Sequence, residues 1–313
     1  MKHQTTNHKA EAYGISAILF ASLLWGTTGT AASFAPSISP LAVGAFSMGV
    51  GGLLLAVVAF RNLARERRLI AENFKILLFG ALALAVYPMA FYSSMRLSGV
   101  AIGTVVSIAS APFFVAALER LFSKNNQIDR RWVYSLLLGT VGIALLTFAE
   151  PASQTAEETT YHYLGILLGL VAGLSYALYA WAAKELITHG VSSTSAMGSI
   201  FGCGAMLLLP SLLFTGGNLF ATTTNTAVVV YMALIPMFIG YVCFGYGLRV
   251  VAASKASLLT LFEPAVAAVF AVVVVGEHIT VSGWIGVLLI MGCLFLQSYK
   301  PAPKQSDTNE VTC

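Results

Sequence analysis

Ten apolar runs, most of them about 20 residues long and separated by short breaks, govern what this chain can fold into. They cover residues 13–35, 41–60, 75–96, 100–119, 132–149, 163–183, 193–214, 227–248, 256–275 and 281–299. A helix needs about 20 apolar residues to cross a bilayer, whereas a barrel strand needs about 9–11. The runs also lack the in-out alternation of a membrane barrel. The expectation is an all-α integral membrane protein with ten transmembrane helices. Charge agrees: only 10% of the 313 residues are charged, against about 25% in a soluble domain. That scarcity excludes a soluble globular enzyme, a disordered chain and a disulfide-stapled secreted domain. Cys203, Cys243, Cys293 and Cys313 lie far apart. They have no metal-like spacing, and the first three read as small packing residues. The net charge of +4 is dispersed, so no nucleic-acid partner is expected.

The first run is longer than a signal-peptide core and is followed at once by further runs, so it reads as a retained span. Cys313 is the last residue, not fourth from the end, and gives no lipidation signal. With ten spans, all but one of the 17 Lys and Arg residues fall on one side. They cluster at Arg61, Arg65, Arg67, Arg68 and Lys75, and again at Arg120, Lys124, Arg130 and Arg131. Arg96 is the exception. The positive-inside rule then puts both termini in the cytoplasm of a cell whose inner membrane holds the chain. The segment from Glu150 to Glu158 carries acid and no base, as an outside loop should.

The chain also repeats itself at an offset of about 151 residues. Gly14-Ile15 matches Gly165-Ile166, and Leu23-Leu24-Trp25-Gly26 aligns with Leu174-Ser175-Tyr176-Ala177. Ala45 and Gly51 match Ala196 and Gly202, Pro112 matches Pro264, and Trp132 matches Trp284. Each half holds an odd number of spans, so the halves enter the membrane from opposite sides. This predicts two inverted five-helix repeats, 13–149 and 163–299. A tail over 1–12, a linker over 150–162 and a tail over 300–313 complete the chain. Inverted repeats are an architecture of secondary transporters, with a site near the midplane.

Several motifs then resemble those of the drug/metabolite transporter superfamily, in particular EamA-like transporters. They are Leu23-Leu24-Trp25-Gly26-Thr27 in the first span and the Gly165, Gly169, Gly173 series leading into Ser175-Tyr176-Ala177 in the sixth. Leu261-Phe262-Glu263-Pro264, Val275-Gly276-Glu277 and Gly283-x-x-Gly286 complete the set. The first half departs from the pattern: Ala111 stands where Glu263 would be, and Lys124-Asn125 where Gly276-Glu277 would be. The resemblance implies ten helices in two repeats and movement of small metabolites or drugs, often outward.

Glu263 is the residue that no loop accounts for. It lies about seven residues inside its span, so about 10 Å from the basic side at 1.5 Å per residue. An intramembrane carboxylate faces a cavity or a partner. It reads either as a group that binds a proton or a substrate amine, or as a structural carboxyl bonded near a bend at Pro264. Pro112 and Pro264 are both expected to break their helices. Trp25, Thr28, Tyr176 and Tyr179 fall at repeat-equivalent heights, and Tyr92, Ser110, Tyr246 and Thr260 join them as candidate cavity residues. Their bland alternative is helix packing or a hydroxyl bond to the preceding turn. Trp181 reads as an interface anchor, and Glu119-Arg120, Lys184-Glu185 and Glu277-His278 as solvated helix ends. Gly165, Gly169 and Gly173 suit close helix contact.

No nucleotide-binding loop, H-E-x-x-H or G-x-S-x-G occurs, so neither an enzyme nor a cofactor or metal is expected. The combined expectation is a secondary transporter for a small-molecule substrate such as an amino acid or a related compound. Its surroundings are lipid, its coupling partner a proton or none. A passive pore and a non-transporting assembly partner are the rival readings, and oligomeric state is left open.

Overall fold

A computed structural model describes residues 2–98, 100–123, 128–147, 159–276 and 278–298. Among them the regular structure is all helical. The linker 150–158, Lys124-Asn125, Glu277 and the tail from residue 299 lie outside the described residues, as does the side chain of Arg96.

Eight stretches are long and apolar enough to cross a bilayer: Lys9–Ser33, Pro40–Glu72, Phe74–Met95, Tyr161–Thr188, Ser193–Thr215, Thr223–Leu248, Ala253–Val275 and Val281–Ser298. Two further helices occupy the positions expected of the fourth and fifth spans.

The first half comprises α1 (Lys2–Gly26), α2 (Thr28–Ser33), α3 (Pro40–Glu72), α4 (Phe74–Ser98), α5 (Val100–Phe122) and α6 (Arg130–Thr147). The second half comprises α7 (Thr159–Thr188), α8 (Ser193–Leu208), α9 (Leu212–Thr215), α10 (Thr223–Met232) and α11 (Gly240–Leu248). It continues with α12 (Ala253–Leu259), α13 (Phe262–Phe270) and α14 (Val281–Ser298). The wider π turns Ala233–Ile239 and Ala271–Val275 follow α10 and α13.

Packing between the halves comes in exchangeable pairs. α4 lies along α7, as α11 lies along α1. α5 packs on α7, as α12 and α13 pack on α1. α3 pairs with α8, α6 with α14, and α5 with α12, each with its own counterpart. α3 and α8 begin with a matched cap: Ser39 accepts from the Ala42 amide, and Ser192 from the Ser195 amide.

Glycine makes the tight seams possible. A side chain on Gly165 would meet the backbone at Ser98, one on Gly169 the Ser94 hydroxyl, and one on Gly173 the Ser107 carbonyl. The expected close contact of that glycine series is therefore made against α4 and α5, and Ser94 donates to the Gly165 carbonyl at 2.7 Å. Along α3 and α8, Gly52 abuts the Phe201 carbonyl and Gly198 abuts Ala59.

Three features differ from the sequence expectation. α3 continues past residue 60 to Glu72, because Arg61, Arg65, Arg67 and Arg68 are good helix formers once outside the hydrocarbon. The first span is interrupted at Thr27, between α1 and α2. α5 runs through Pro112 without interruption, so no helix break occurs there. One missing hydrogen bond is tolerated where neighbouring helices support the turn. The Pro264 span does break, with Thr260 and Leu261 between α12 and α13, and Pro264 sits in the first turn of α13, where a proline lacks no helical partner.

Candidate functional site

The breaks in the first and ninth spans meet. Gly26 ends α1 so close to α13 that a side chain there would come within 2.8 Å of the Glu263 carbonyl and would strike Val266. This contact brings the α12–α13 break, and Glu263 with it, to the middle of the bundle.

Around that point stand tyrosine rings from three helices. Tyr87 and Tyr92 come from α4, Tyr176 from α7 and Tyr241 from α11, and all four lie within electrostatic range of the Glu263 carboxylate. The rings touch edge to face: Tyr176 and Tyr179 are 5.1 Å apart, Tyr87 and Tyr179 5.9 Å, and Trp25 and Tyr241 4.8 Å at a tilt. Hydrogen bonds fix some of them. The Tyr179 and Tyr241 hydroxyls share one bond of 2.9 Å, and the Tyr176 hydroxyl bonds the Thr260 hydroxyl at 3.2 Å. Trp25 donates its indole N–H to the Pro236 carbonyl, 2.9 Å away, within the π turn.

Three polar groups in this centre are left over. The Glu263 carboxylate and the Tyr87 and Tyr92 hydroxyls keep accessible surface, and none has a protein hydrogen-bond partner among the described residues. Burying such groups without partners is costly.

The sequence-derived residues sort accordingly. Tyr92, Tyr176, Thr260 and Glu263 converge. Ser110 bonds back to the Ser107 carbonyl and lies against Gly173. Thr28 bonds back to the Trp25 carbonyl at 2.7 Å. Tyr179 and Trp25 are buried supports of the ring cluster rather than open walls. Tyr246 is not part of the cluster: it is 45% exposed, with the Arg249 guanidinium over its ring. Tyr87 is not among the sequence-derived residues, yet it is central.

At the end of the bundle that carries most of the basic residues, polar contacts tie the helices together. Lys255 pairs with Glu11 at 3.0 Å, not with Glu263. Lys184 donates to the Leu248 carbonyl at the end of α11. Glu66 on α3 accepts from both the amide and the hydroxyl of Ser192. Trp181 donates to Ser123, which donates to Glu185. Glu119 and Lys184 are therefore not solvated ends. Glu119 is 3% exposed, beside the Ala253 and Ser254 amides and within electrostatic range of Lys184, although its Oε2 has no partner among the described residues.

At the opposite end a groove of about 410 Å³ opens between α2, α10 and α13. Thr30, Phe34, Thr224 and Phe270 line it. At its inner end Thr27 and Tyr231 share a hydroxyl bond of 2.7 Å.

A multi-pass helical membrane protein with two exchangeable halves and a central aromatic cluster belongs among membrane transporters. The EamA-like transporter family model matches residues 12–148 and 163–299, and the chain belongs to that family. The chain is similar to the uncharacterized transporter YwfM of Bacillus subtilis (strain 168), 32% identical over 94% of this chain and 96% of that one. It is also similar to the uncharacterized inner membrane transporter YicL of Salmonella typhimurium, 22% identical over 91% of this chain and 95% of the relative. A solved crystal structure shares the fold with a TM-score of 0.73 at 19% identity, covering 90% of this chain and 95% of that one.

Proposed function

We propose that this chain is a ten-helix secondary transporter that exports small metabolites, amino acids or related compounds, from the cytoplasm by alternating access. In this reading α5 and α6 also cross the membrane. Residues 13–149 and 163–299 are inverted repeats, the 150–162 linker is outside, and both termini and the basic end are cytoplasmic.

The observation that carries the reading is the aromatic cluster that both halves build around Glu263, with the helices tied together at the basic end and a groove between α2, α10 and α13 at the other. That asymmetry corresponds to an outward-facing state. Exchange of the paired helix contacts supplies a route to the inward-facing one.

Glu263 is the group where a proton would couple. From α4 it faces Tyr87 and Tyr92, from α7 Tyr176 and from α11 Tyr241, while α1 presents Trp25 and Gly26. Counterflow in proteoliposomes tests the proposal. A carrier shows saturable exchange of labelled against unlabelled solute, and conductance without saturation would replace it with a pore.

A further inference from the structure

The pocket's chemistry narrows the substrate within that reading. Its one carboxylate, on Glu263, has no protein partner among the described residues, and beside it the Tyr87 and Tyr92 hydroxyls have none either. The surrounding rings of Tyr87, Tyr92, Tyr176 and Tyr241 present electron-rich faces and hydroxyl acceptors, both of which favour a cation.

No cationic group stands among the described side chains of this centre. Lys184 is held by the Leu248 carbonyl, Lys255 by Glu11, and Arg249 lies over the outlying Tyr246. A zwitterion's carboxylate would thus enter an apolar, aromatic space beside Glu263 with no cation to meet it, and like charges in such a medium repel strongly. An ammonium alone would satisfy the Glu263 oxygens and accept further contact from the tyrosines. Partly exposed Phe91, stacked on Tyr87 and edge to face with Tyr92, suits an apolar or aromatic body.

We propose that the pocket takes a small organic monocation, a primary amine on an aromatic or aliphatic body, in preference to the corresponding amino acid or carboxylic acid. Three ligands that share one ring and differ only in charge test it. They are phenethylamine, phenylalanine and 3-phenylpropanoate, measured by calorimetric binding to the purified full-length protein in detergent. Phenethylamine is expected to bind at least tenfold more tightly than phenylalanine, and 3-phenylpropanoate not to bind.

Glu263→Gln is expected to lose at least tenfold in amine affinity, while Tyr246→Ala, outside the pocket, leaves it unchanged. Should Glu263→Gln not remain monodisperse, Tyr92→Phe keeps the ring, and a two- to fivefold loss is expected from its missing hydroxyl.

Equal or tighter binding of phenylalanine overturns the proposal. So does undiminished amine affinity in Glu263→Gln or, where that variant is not monodisperse, in Tyr92→Phe. So does failure of all three ligands to bind. The proposal rests on the transporter reading but fails separately. Glu263-dependent amine binding without counterflow would sink transport and keep the site. Counterflow of phenylalanine without amine preference would keep transport and sink the site.

Discussion

The two halves place equivalent helices in different states. In the first, α5 is one continuous helix with buried Ala111 beside Pro112. In the second, its counterpart is divided into α12 and α13, carries Glu263 before Pro264, and then widens into a π turn closed by Gly276 at a φ of 82°. That left-handed conformation suits glycine. The tryptophans differ likewise: Trp132 is 6% exposed and donates to the Ser254 carbonyl, whereas Trp284 is 41% exposed. One copy has kept packing as its task, and the other has given up helix continuity to hold a polar group at mid-depth.

The sharpest way to break this comparison is Glu263→Gln. Export driven by an imposed pH gradient in proteoliposomes should disappear while expression stays normal. A gradient response equal to the native one would remove Glu263 from coupling.

Next comes the tryptophan pair. Trp132→Ala should destabilise the protein by about 3 kcal/mol, from the range for buried aromatic truncation, whereas Trp284→Ala should cost less than about 1 kcal/mol. Thermal unfolding in detergent would show this, and equal shifts would contradict the asymmetry.

Trp25→Ala removes the indole donor to Pro236 and two ring contacts, so substrate affinity should fall about tenfold, near 1.4 kcal/mol. Full affinity would make Trp25 a packing residue alone.

The smallest effect belongs to Pro112→Ala. It should leave both transport and stability within about 0.5 kcal/mol, since α5 is already continuous. A large loss would show that Pro112 shapes the helix in a way its unbroken backbone hides.

Much of the fold was legible in the sequence because hydropathy reports depth. The all-helical, membrane-spanning character, the two-repeat organisation and the glycine seam on α7 all follow from patterns along one dimension. Direction around a helix axis is another matter. Tyr246 and Tyr241 lie at comparable depth in one span, yet Tyr241 is buried among rings and Tyr246 faces outward. Glu119 looked like a solvated end because it adjoins Arg120, but the start of α12 covers it. Gly26 against α13 and the Trp25 indole against the Pro236 carbonyl are contacts between distant segments that no local pattern encodes.

The α3–α8 seam carries a mechanical consequence. Glycines bring the two helices together at Gly52 and Gly198, and Glu66 fastens the far end of α3 to the cap of α8. Two rods joined at several points along their length can tilt only as one beam. A bulky residue at Gly198 would strike Ala59 and splay the beam along its whole length.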